Sequence, residues 1–315
     1  MKLHFDKIAF RQIIDEVAVE HGVRRDVLEK DYYVTLLLFE LSKSENQRYA
    51  YFKGGTALYK ALRSIRRFSE DIDLTVFIED CPNPSQAKKR LEKAVLKYQS
   101  LSKGETLENE RGSITCEYLY DSMYELDPDD TLQRFGRVKV EGTSFTVSEP
   151  TVKIEIAPYL FELCNKARRD ILEQYYGVTA FEIETISLER IFIDKIFASE
   201  FYHERKAYAD VAKHVYDLTV LLQNEQINTF LADKDRVKQI VSLKRKEELV
   251  RKGGVSAEKK VKDFDYFSGL EGNSMFAKSF GEMQRIYVFD ENDILPVQAV
   301  LEAVKRLRIF IDTEC

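Results

Sequence analysis

Hydrophobic and polar positions in the first half of the chain follow both the helical and the strand period. Apolar residues recur at helical spacing over residues 7–42, and alternating or aromatic runs typical of strands follow. Strands are predicted at 49–52, 72–78, 113–120, 134–141 and 151–157, with helices at 56–62 and 86–100. This mixture predicts an α/β (α+β) domain with a mixed sheet.

Strand patterns fade near residue 185, and helical periodicity dominates the rest of the chain. Helices are predicted at 187–202, 206–223, 225–250 and 296–311. We therefore expect an α/β domain over residues 1–180 and a helical C-terminal domain over residues 181–315.

The composition narrows the class of protein. Of 315 residues, 44% are hydrophobic and 32% are charged, which allows a sizeable core and argues against wholesale disorder. A formal net charge of −6 does not favour a protein that coats nucleic acid with its whole surface. Residues 236–262 differ, with ten Lys and Arg against three acids, and are either a site for an anionic partner or a solvated surface helix.

The sequence also bears on the cellular compartment. Residues 1–10 lack the apolar core of a signal peptide, and the uncharged stretch 32–39 is too short for a membrane span. The four cysteines lack the CxxC spacing of zinc sites: Cys81, Cys116, Cys164 and Cys315. We expect free thiols in a soluble, cytoplasmic protein with no membrane partner.

The strongest local pattern is a strand that runs into Gly54, Gly55 and Thr56, where a helix begins. Two glycines let a phosphate approach the backbone, and the first turn of a helix offers unpaired N–H groups. The glycine spacing matches neither a Walker loop nor a dinucleotide fingerprint. Alone, the pattern is also compatible with a plain strand–helix connection.

A pair of aspartates on the next strand strengthens this interpretation. Asp71 and Asp73 are two residues apart, so a strand puts both carboxylates on one face, with Cα atoms about 7 Å apart. Such a pair commonly holds Mg²⁺ in nucleotidyl transfer. Arg67 and Ser69 precede the pair and are candidates to support phosphates. The alternative is a solvated strand face.

Three further sets of charged residues are candidates for the same site. Glu155 lies on an alternating strand and is predicted to complete a metal-binding triad from an adjacent strand, unless it reflects ordinary alternation. Lys195 lies within the apolar face of a helix, which is costly unless its ammonium reaches solvent or meets an anion. Asp210, Lys213 and Asp217 share one stripe of the next helix, a pattern also typical of a solvated face.

Together these segments resemble the AbiEii/AbiGii toxin family of bacterial nucleotidyltransferases. The resemblance rests on the Gly-Gly-Thr turn at 54–56 followed by Arg-Phe-Ser-Glu-Asp-Ile-Asp at 67–73. Residues 29–33, 189–195 and 213–218 resemble other family segments, although His214 stands where the family often has aspartate. Which of Asp210 and Asp217 is functional therefore stays open.

The resemblance implies a nucleotidyltransferase fold and a toxin of the toxin–antitoxin or abortive-infection type. It implies transfer of a nucleotide from an NTP, with Mg²⁺ or Mn²⁺, to an acceptor such as the 3′ end of tRNA, which would block translation. It also implies a cognate antitoxin encoded nearby. Other outcomes remain open: a protein or small-molecule acceptor, or a catalytically silent module that binds RNA or antitoxin.

The candidate residues then have assigned roles. Asp71, Asp73 and Glu155 would hold the metal, and Lys195 would neutralise the triphosphate. The nucleotide-binding candidates are Gly54, Gly55, Thr56, Arg67, Ser69, Lys195, Asp210, Lys213 and Asp217.

Overall fold

The computed structural model describes residues 1–63, 66–109, 112–125, 135–145, 149–251, 253–256 and 258–311. Its strands are β1 Ala50–Lys53, β2 Ile72–Val76, β3 Ser102–Asn109, β4 Ser113–Leu119, β5 Arg137–Thr143, β6 Thr151–Ile156 and β7 Phe181–Ile186. Its α-helices are α1 Lys7–His21, α2 Arg25–Lys43, α3 Gly54–Thr56, α4 Pro84–Leu96, α5 Tyr159–Leu163, α6 Lys166–Tyr176, α7 Leu188–Glu204, α8 Tyr208–Leu221, α9 Glu225–Ala232, α10 Lys234–Val250, α11 Tyr266–Gly269, α12 Ser274–Tyr287 and α13 Val297–Phe310. A π-helical turn, Ala57–Ala61, continues α3, and short 3₁₀ turns lie at Leu3–Phe5, Glu45–Arg48, Val261–Asp263 and Glu291–Asp293.

The chain forms two compact units that are not two consecutive stretches. The first comprises Met1–Ala61, Glu70–Ser144 and Thr151–Thr185. The second comprises Leu62–Ser69, Phe145–Pro150 and Ile186–Cys315. The main break lies between Thr185 and Ile186, and two short segments from the first half of the chain belong to the second unit.

A mixed sheet forms the centre of the first unit. Within the described residues its strand order is β3-β4-β5-β2-β1-β7-β6. Strand β2 lies between β1, to which it is antiparallel, and β5, to which it is parallel. The mixed α/β architecture predicted from the sequence is confirmed.

One face of this sheet is apolar and is covered by helices. Ile72, Leu74 and Val76 of β2 are fully buried on it. Helix α4 packs closely there, because a Cβ added at Gly142 would lie 3.0 Å from Cδ1 of Leu91. Period 2 places the intervening polar residues of the same strands on the opposite face, which we call the polar face.

The stretch 7–42, which the sequence predicts as helical, forms two helices, α1 and α2. Gly22, with φ +66°, ends α1 in the left-handed conformation that glycine adopts readily. Asp6 caps the start of α1 by accepting a hydrogen bond from the Ala9 N–H. Two strands, β3 and β7, were also not predicted.

The second unit is helical, as its sequence pattern predicts. Helix α8 packs against α7, α12 and α13 and is buried along most of its length. The single helix predicted over 225–250 divides at Asp233, whose side chain accepts a hydrogen bond from the Arg236 N–H and caps α10.

No helix in the described part of the chain is long and apolar enough to cross a membrane. Three of the cysteines, Cys81, Cys116 and Cys164, are free thiols as expected, and Cys315 lies outside the described residues.

Candidate functional site

The Gly-Gly-Thr turn meets the aspartate strand at Gly54. This residue has φ +78°, a conformation that side chains with a Cβ rarely adopt. A Cβ at this position would lie 2.9 Å from Cγ of Asp73 and still closer to its Oδ2. The carboxylate of Asp73 therefore lies directly against the backbone where α3 begins.

Strand pairing places a second carboxylate beside Asp73. In the parallel pair of β2 and β5, Asp73 is directly opposite Glu141. Directly opposed residues project from the same face, and their backbones lie about 4.8 Å apart. Glu141 and Asp73 are both half-buried, so neither is closed off from solvent. The sequence prediction missed Glu141, although the alternating stretch at 137–141 contained it.

The prediction that Glu155 comes from a strand adjacent to the aspartates is wrong. Glu155 lies on β6, and β1 and β7 both intervene between β6 and β2. Three strand spacings amount to about 14 Å. That separation is too large for Glu155 to share a metal ion with Asp73.

A lysine shares the polar face with the two carboxylates. Lys53 is directly opposite Asp73 across the β1–β2 pair. Its ammonium donates a hydrogen bond to Oγ1 of Thr143 on β5, 2.9 Å away, so the side chain crosses over β2. Lys53 thus brings a positive charge to the part of the sheet that carries Asp73 and Glu141.

Carboxylates that lie so close fit a divalent cation. Carboxylate oxygens are the ligands that Mg²⁺ prefers, and it usually takes one or two of them together with substrate phosphates. Asp73 and Glu141 supply the donor type on adjacent strands, and Asp71 directly precedes β2. Within the described ranges, no group of three or more His, Cys, Asp and Glu side chains is arranged to hold a metal ion.

Helix α2 contributes a buried lysine near the same carboxylates. Lys30 is 1% exposed, and its ammonium donates a hydrogen bond to the Arg137 carbonyl at the start of β5. Burial lowers the pKa of Lys30, and the negative charges of Glu70 and Asp71 oppose that shift. In the sequence, Lys30 stands out only as part of the segment 29–33 that resembles the family.

In the second unit, Asp217 gathers two of the predicted phosphate-binding cations. Arg67 donates to both carboxylate oxygens of Asp217, at 2.7 and 2.8 Å, in a bidentate pair. The ammonium of Lys195 lies 2.7 Å from Oδ2 of the same carboxylate. We call these three residues the Asp217 cluster. The anion that Lys195 requires is therefore supplied within the protein.

Burial and charge act in opposite directions on Asp217, which is fully buried. Burial raises the pKa of Asp217, but the charges of Arg67 and Lys195 lower it by more, so that the pKa of Asp217 is about 2. The cluster thus keeps two cations and one anion at neutral pH, a net charge of +1. His214 lies nearby, and burial together with the charges of Lys195 and Arg67 lowers the pKa of His214 well below its usual range.

The remaining candidates of α8 lie in a different setting. Asp210 is half-buried, and its carboxylate is 4.0 Å from the ammonium of Lys213, a partly solvated pair. Lys213 also lies over the ring of Tyr287, at 4.9 Å. Of the two aspartates that the sequence left open, Asp217 is the one that is fully buried and bound to two predicted cations, Arg67 and Lys195. Ser69 is half-buried in the short segment that belongs to the same unit.

Much of the basic charge at 236–262 is used inside the fold. Several of the described cations make internal contacts, among them Lys244 with Glu247 and Glu248, Arg245 with the Ser256 carbonyl, Arg251 over the Phe201 ring, and Lys259 with Glu200 and Asp265. Lys238, Lys246 and Lys260 are exposed. Lys252 lies outside the described residues.

Comparison with known proteins gives matches of two kinds, to a family model and to solved structures. A family model described as nucleotidyl transferase AbiEii toxin, type IV toxin–antitoxin system, matches residues 36–289. Among solved structures, the chain is similar to MenT4, a nucleotidyltransferase toxin from Mycobacterium tuberculosis H37Rv, with a TM-score of 0.50 and 16% sequence identity. That similarity covers 96% of each chain and shows a shared fold. A search of the curated proteins finds no match.

Proposed function

Because the chain belongs to the AbiEii family of nucleotidyltransferase toxins, we propose that it moves a nucleoside monophosphate from an NTP to the 3′ end of a tRNA, which blocks translation. The observation that supports this most is the register of β2 and β5, which sets Glu141 opposite Asp73 beside the Gly54 turn. A nucleotidyltransferase needs carboxylates next to a place where phosphates meet the backbone.

In this proposal Asp73 and Glu141, together with the phosphates of the NTP, would hold Mg²⁺ or Mn²⁺ beside Asp71, and Glu141 takes the place that the sequence assigned to Glu155. When bound, the metal would neutralise charge on the phosphates of the NTP. The close contact of Asp73 with Gly54 fixes one carboxylate beside the turn.

The backbone of the turn and the cations have separate roles in this proposal. Gly55 and Thr56, at the start of α3, approach the β- and γ-phosphates, and Lys53 on the same face adds positive charge. In the second unit, the ammonium of Lys195 is bound to the Asp217 carboxylate, which supplies the anion that a buried lysine needs. Arg67 holds Asp217, and through it Lys195, in place.

The transfer step follows from these assignments. The acceptor hydroxyl oxygen attacks the α-phosphorus in line, a new oxygen–phosphorus bond forms, and the bond from the α-phosphorus to the bridging oxygen breaks. Pyrophosphate leaves, and the hydroxyl proton is lost to water. Lysines and backbone N–H groups that are fixed beforehand stabilise the negative charge that develops, and the metal held by the carboxylates would add to this effect.

The acceptor and the partner are further parts of the proposal. Exposed Lys238, Lys246 and Lys260 offer positive charge to an RNA backbone. An antitoxin opposes the enzyme in the cytoplasm, as the description of the family as a type IV toxin–antitoxin system supports.

A labelling assay tests the proposal. Purified protein is incubated with Mg²⁺, total bacterial RNA and each of four α-³²P-labelled NTPs, beside the variant Asp71→Asn, which keeps the shape of the side chain. We expect a labelled, tRNA-sized band that requires Mg²⁺ and is absent with the variant. Label that resists RNase but not protease would instead show a protein acceptor. No label in RNA or protein would contradict nucleotide transfer to either macromolecule.

A further inference from the structure

A buried ion pair lies directly behind the Gly-Gly-Thr turn. The ammonium of Lys60 is 2.7 Å from Oδ1 of Asp31, and their side chains are 3% and 2% exposed. Asp31 belongs to α2, whereas Lys60 lies on the π-helical turn Ala57–Ala61, four residues after Thr56. The pair therefore joins a long core helix to the turn that follows the candidate phosphate-binding residues.

The second oxygen of the Asp31 carboxylate is also engaged. Oδ2 accepts a hydrogen bond from the Tyr159 N–H at 2.6 Å, where α5 begins. One carboxylate thus connects three elements: α2, the π-helical turn and α5. Because both of its oxygens have partners inside the protein, the position of Lys60 is fixed from one side by geometry as well as by charge.

Stability alone does not explain this arrangement. Burying two charges costs about as much as their attraction returns, so a buried pair is weak evidence for a stabilising role. Single π-helical turns are uncommon and occur frequently at functional sites. An intact pair that contributes little net stability and that holds such a turn indicates a role in orienting the residues that precede the turn.

We infer that Asp31 and Lys60 are positioning residues for nucleotide binding. Their pair holds the Ala57–Ala61 turn, and this fixes the N–H groups of Gly55 and Thr56 relative to Asp73. The inference rests on the proposed function for the identity of the ligand, a nucleoside triphosphate. Neither residue touches the nucleotide, so the pair acts on affinity through the backbone of the turn.

The chain offers a matched control two residues away. Glu29 is as buried as Asp31 and lies on the same helix, but its carboxylate accepts from the Ser122 hydroxyl and the Met123 N–H, away from the turn. Loss of a buried carboxylate should lower stability in either case. A variant at residue 31 or 60 should in addition alter the turn.

The experiment compares Lys60→Met, the double variant Asp31→Asn with Lys60→Met, and the control Glu29→Gln. The double variant removes both charges, so no unpaired buried charge is left to unfold the protein. Hydrogen–deuterium exchange of the amides at 54–61 reports the turn directly, and the KM for NTP, kcat and thermal midpoint are measured in parallel. Lys60→Arg, which keeps the charge, serves as the rescue.

We expect Lys60→Met and the double variant to speed amide exchange at 54–61 at least tenfold. Both should also raise the KM for NTP at least tenfold, with a smaller change in kcat. Glu29→Gln should leave exchange at 54–61 and KM as in the wild type, and Lys60→Arg should restore both. The inference would be overturned if amide exchange at 54–61 were no faster in the double variant than in Glu29→Gln. If the wild type transfers no nucleotide, the proposed function fails, and exchange at 54–61 still decides whether the pair positions the turn.

Discussion

At the residue scale, Gly54 lies where a side chain with a Cβ would clash with the Asp73 carboxylate. Its positive φ and its contact with the Asp73 carboxylate are two independent reasons for glycine. Gly54→Ala should lower the free energy of unfolding by about 1–2 kcal/mol through the backbone and displace Asp73 through the clash. We expect nucleotide transfer to fall about 100-fold or more.

Gly177 provides the control for this prediction. It also has positive φ, +60°, but a Cβ there would meet no atom within 4 Å. Gly177→Ala should therefore show a similar loss of stability with transfer as in the wild type. Equal transfer rates in the two variants would show that the Asp73 contact is irrelevant to activity.

Asp217 leads to a prediction about stability. Asp217→Asn leaves Arg67 and Lys195 buried without their shared anion, which should cost about 3–5 kcal/mol in urea unfolding at pH 7. Asp210→Asn on the same helix removes only a partly solvated pair at 4.0 Å and should change stability by less than about 0.5 kcal/mol. Similar losses in the two variants would contradict the account of the Asp217 cluster.

His214 leads to a prediction about pH. Its pKa is well below 6.5 in the folded protein, so it is neutral there, whereas in the unfolded chain it takes up a proton below about pH 6.5. The stability that this difference supplies is present above pH 6.5 and is lost as the pH falls. His214→Gln should reduce the loss of unfolding free energy between pH 7.5 and pH 5, measured in urea.

His4 acts in the same direction, because burial lowers the pKa of His4 to about 4. The His214 variant should therefore remove only part of the acid-side loss. An identical slope of stability against pH in the variant and the wild type would contradict a neutral His214 in the folded protein.

At the element scale, strand order is what the sequence could not supply. Residues 137–141 read Arg-Val-Lys-Val-Glu, and residues 151–155 read Thr-Val-Lys-Ile-Glu. Both segments alternate and both end in glutamate, so the pattern does not distinguish Glu141 from Glu155. Alternation is local, whereas the pairing of β5 with β2 depends on tertiary contacts. The aspartate strand and the Gly-Gly-Thr turn were predictable because each is read from adjacent residues.

Helix α10 and the loop after it carry a prediction about RNA. Changing exposed Lys238, Lys246 and Lys260 to Gln should lower the slope of log K against log salt for RNA binding by about 2–3, with an unchanged thermal midpoint. A control in which exposed Lys89, Lys93 and Lys278 become Gln removes the same charge elsewhere. Equal effects of the two triple variants on the slope would show that residues 236–262 are not a specific RNA surface.

At the scale of the whole molecule, the sequence predicted a mixed α/β part followed by a helical part. It did not predict that Leu62–Ser69 and Phe145–Pro150 belong to the second unit. Periodicity describes which face of an element is apolar, not which unit a short connecting segment joins. For that reason Arg67 was expected beside the metal strand and is found paired with Asp217.

The most direct test of the account compares the two glutamates. Transfer rates at saturating NTP and Mg²⁺ are measured for the wild type, Glu141→Gln and Glu155→Gln. Strand order predicts that Glu141→Gln loses about 100-fold or more, because it removes a metal ligand, and that Glu155→Gln stays within a few-fold of the wild type. Full activity in Glu141→Gln, or loss of activity in Glu155→Gln alone, would contradict it.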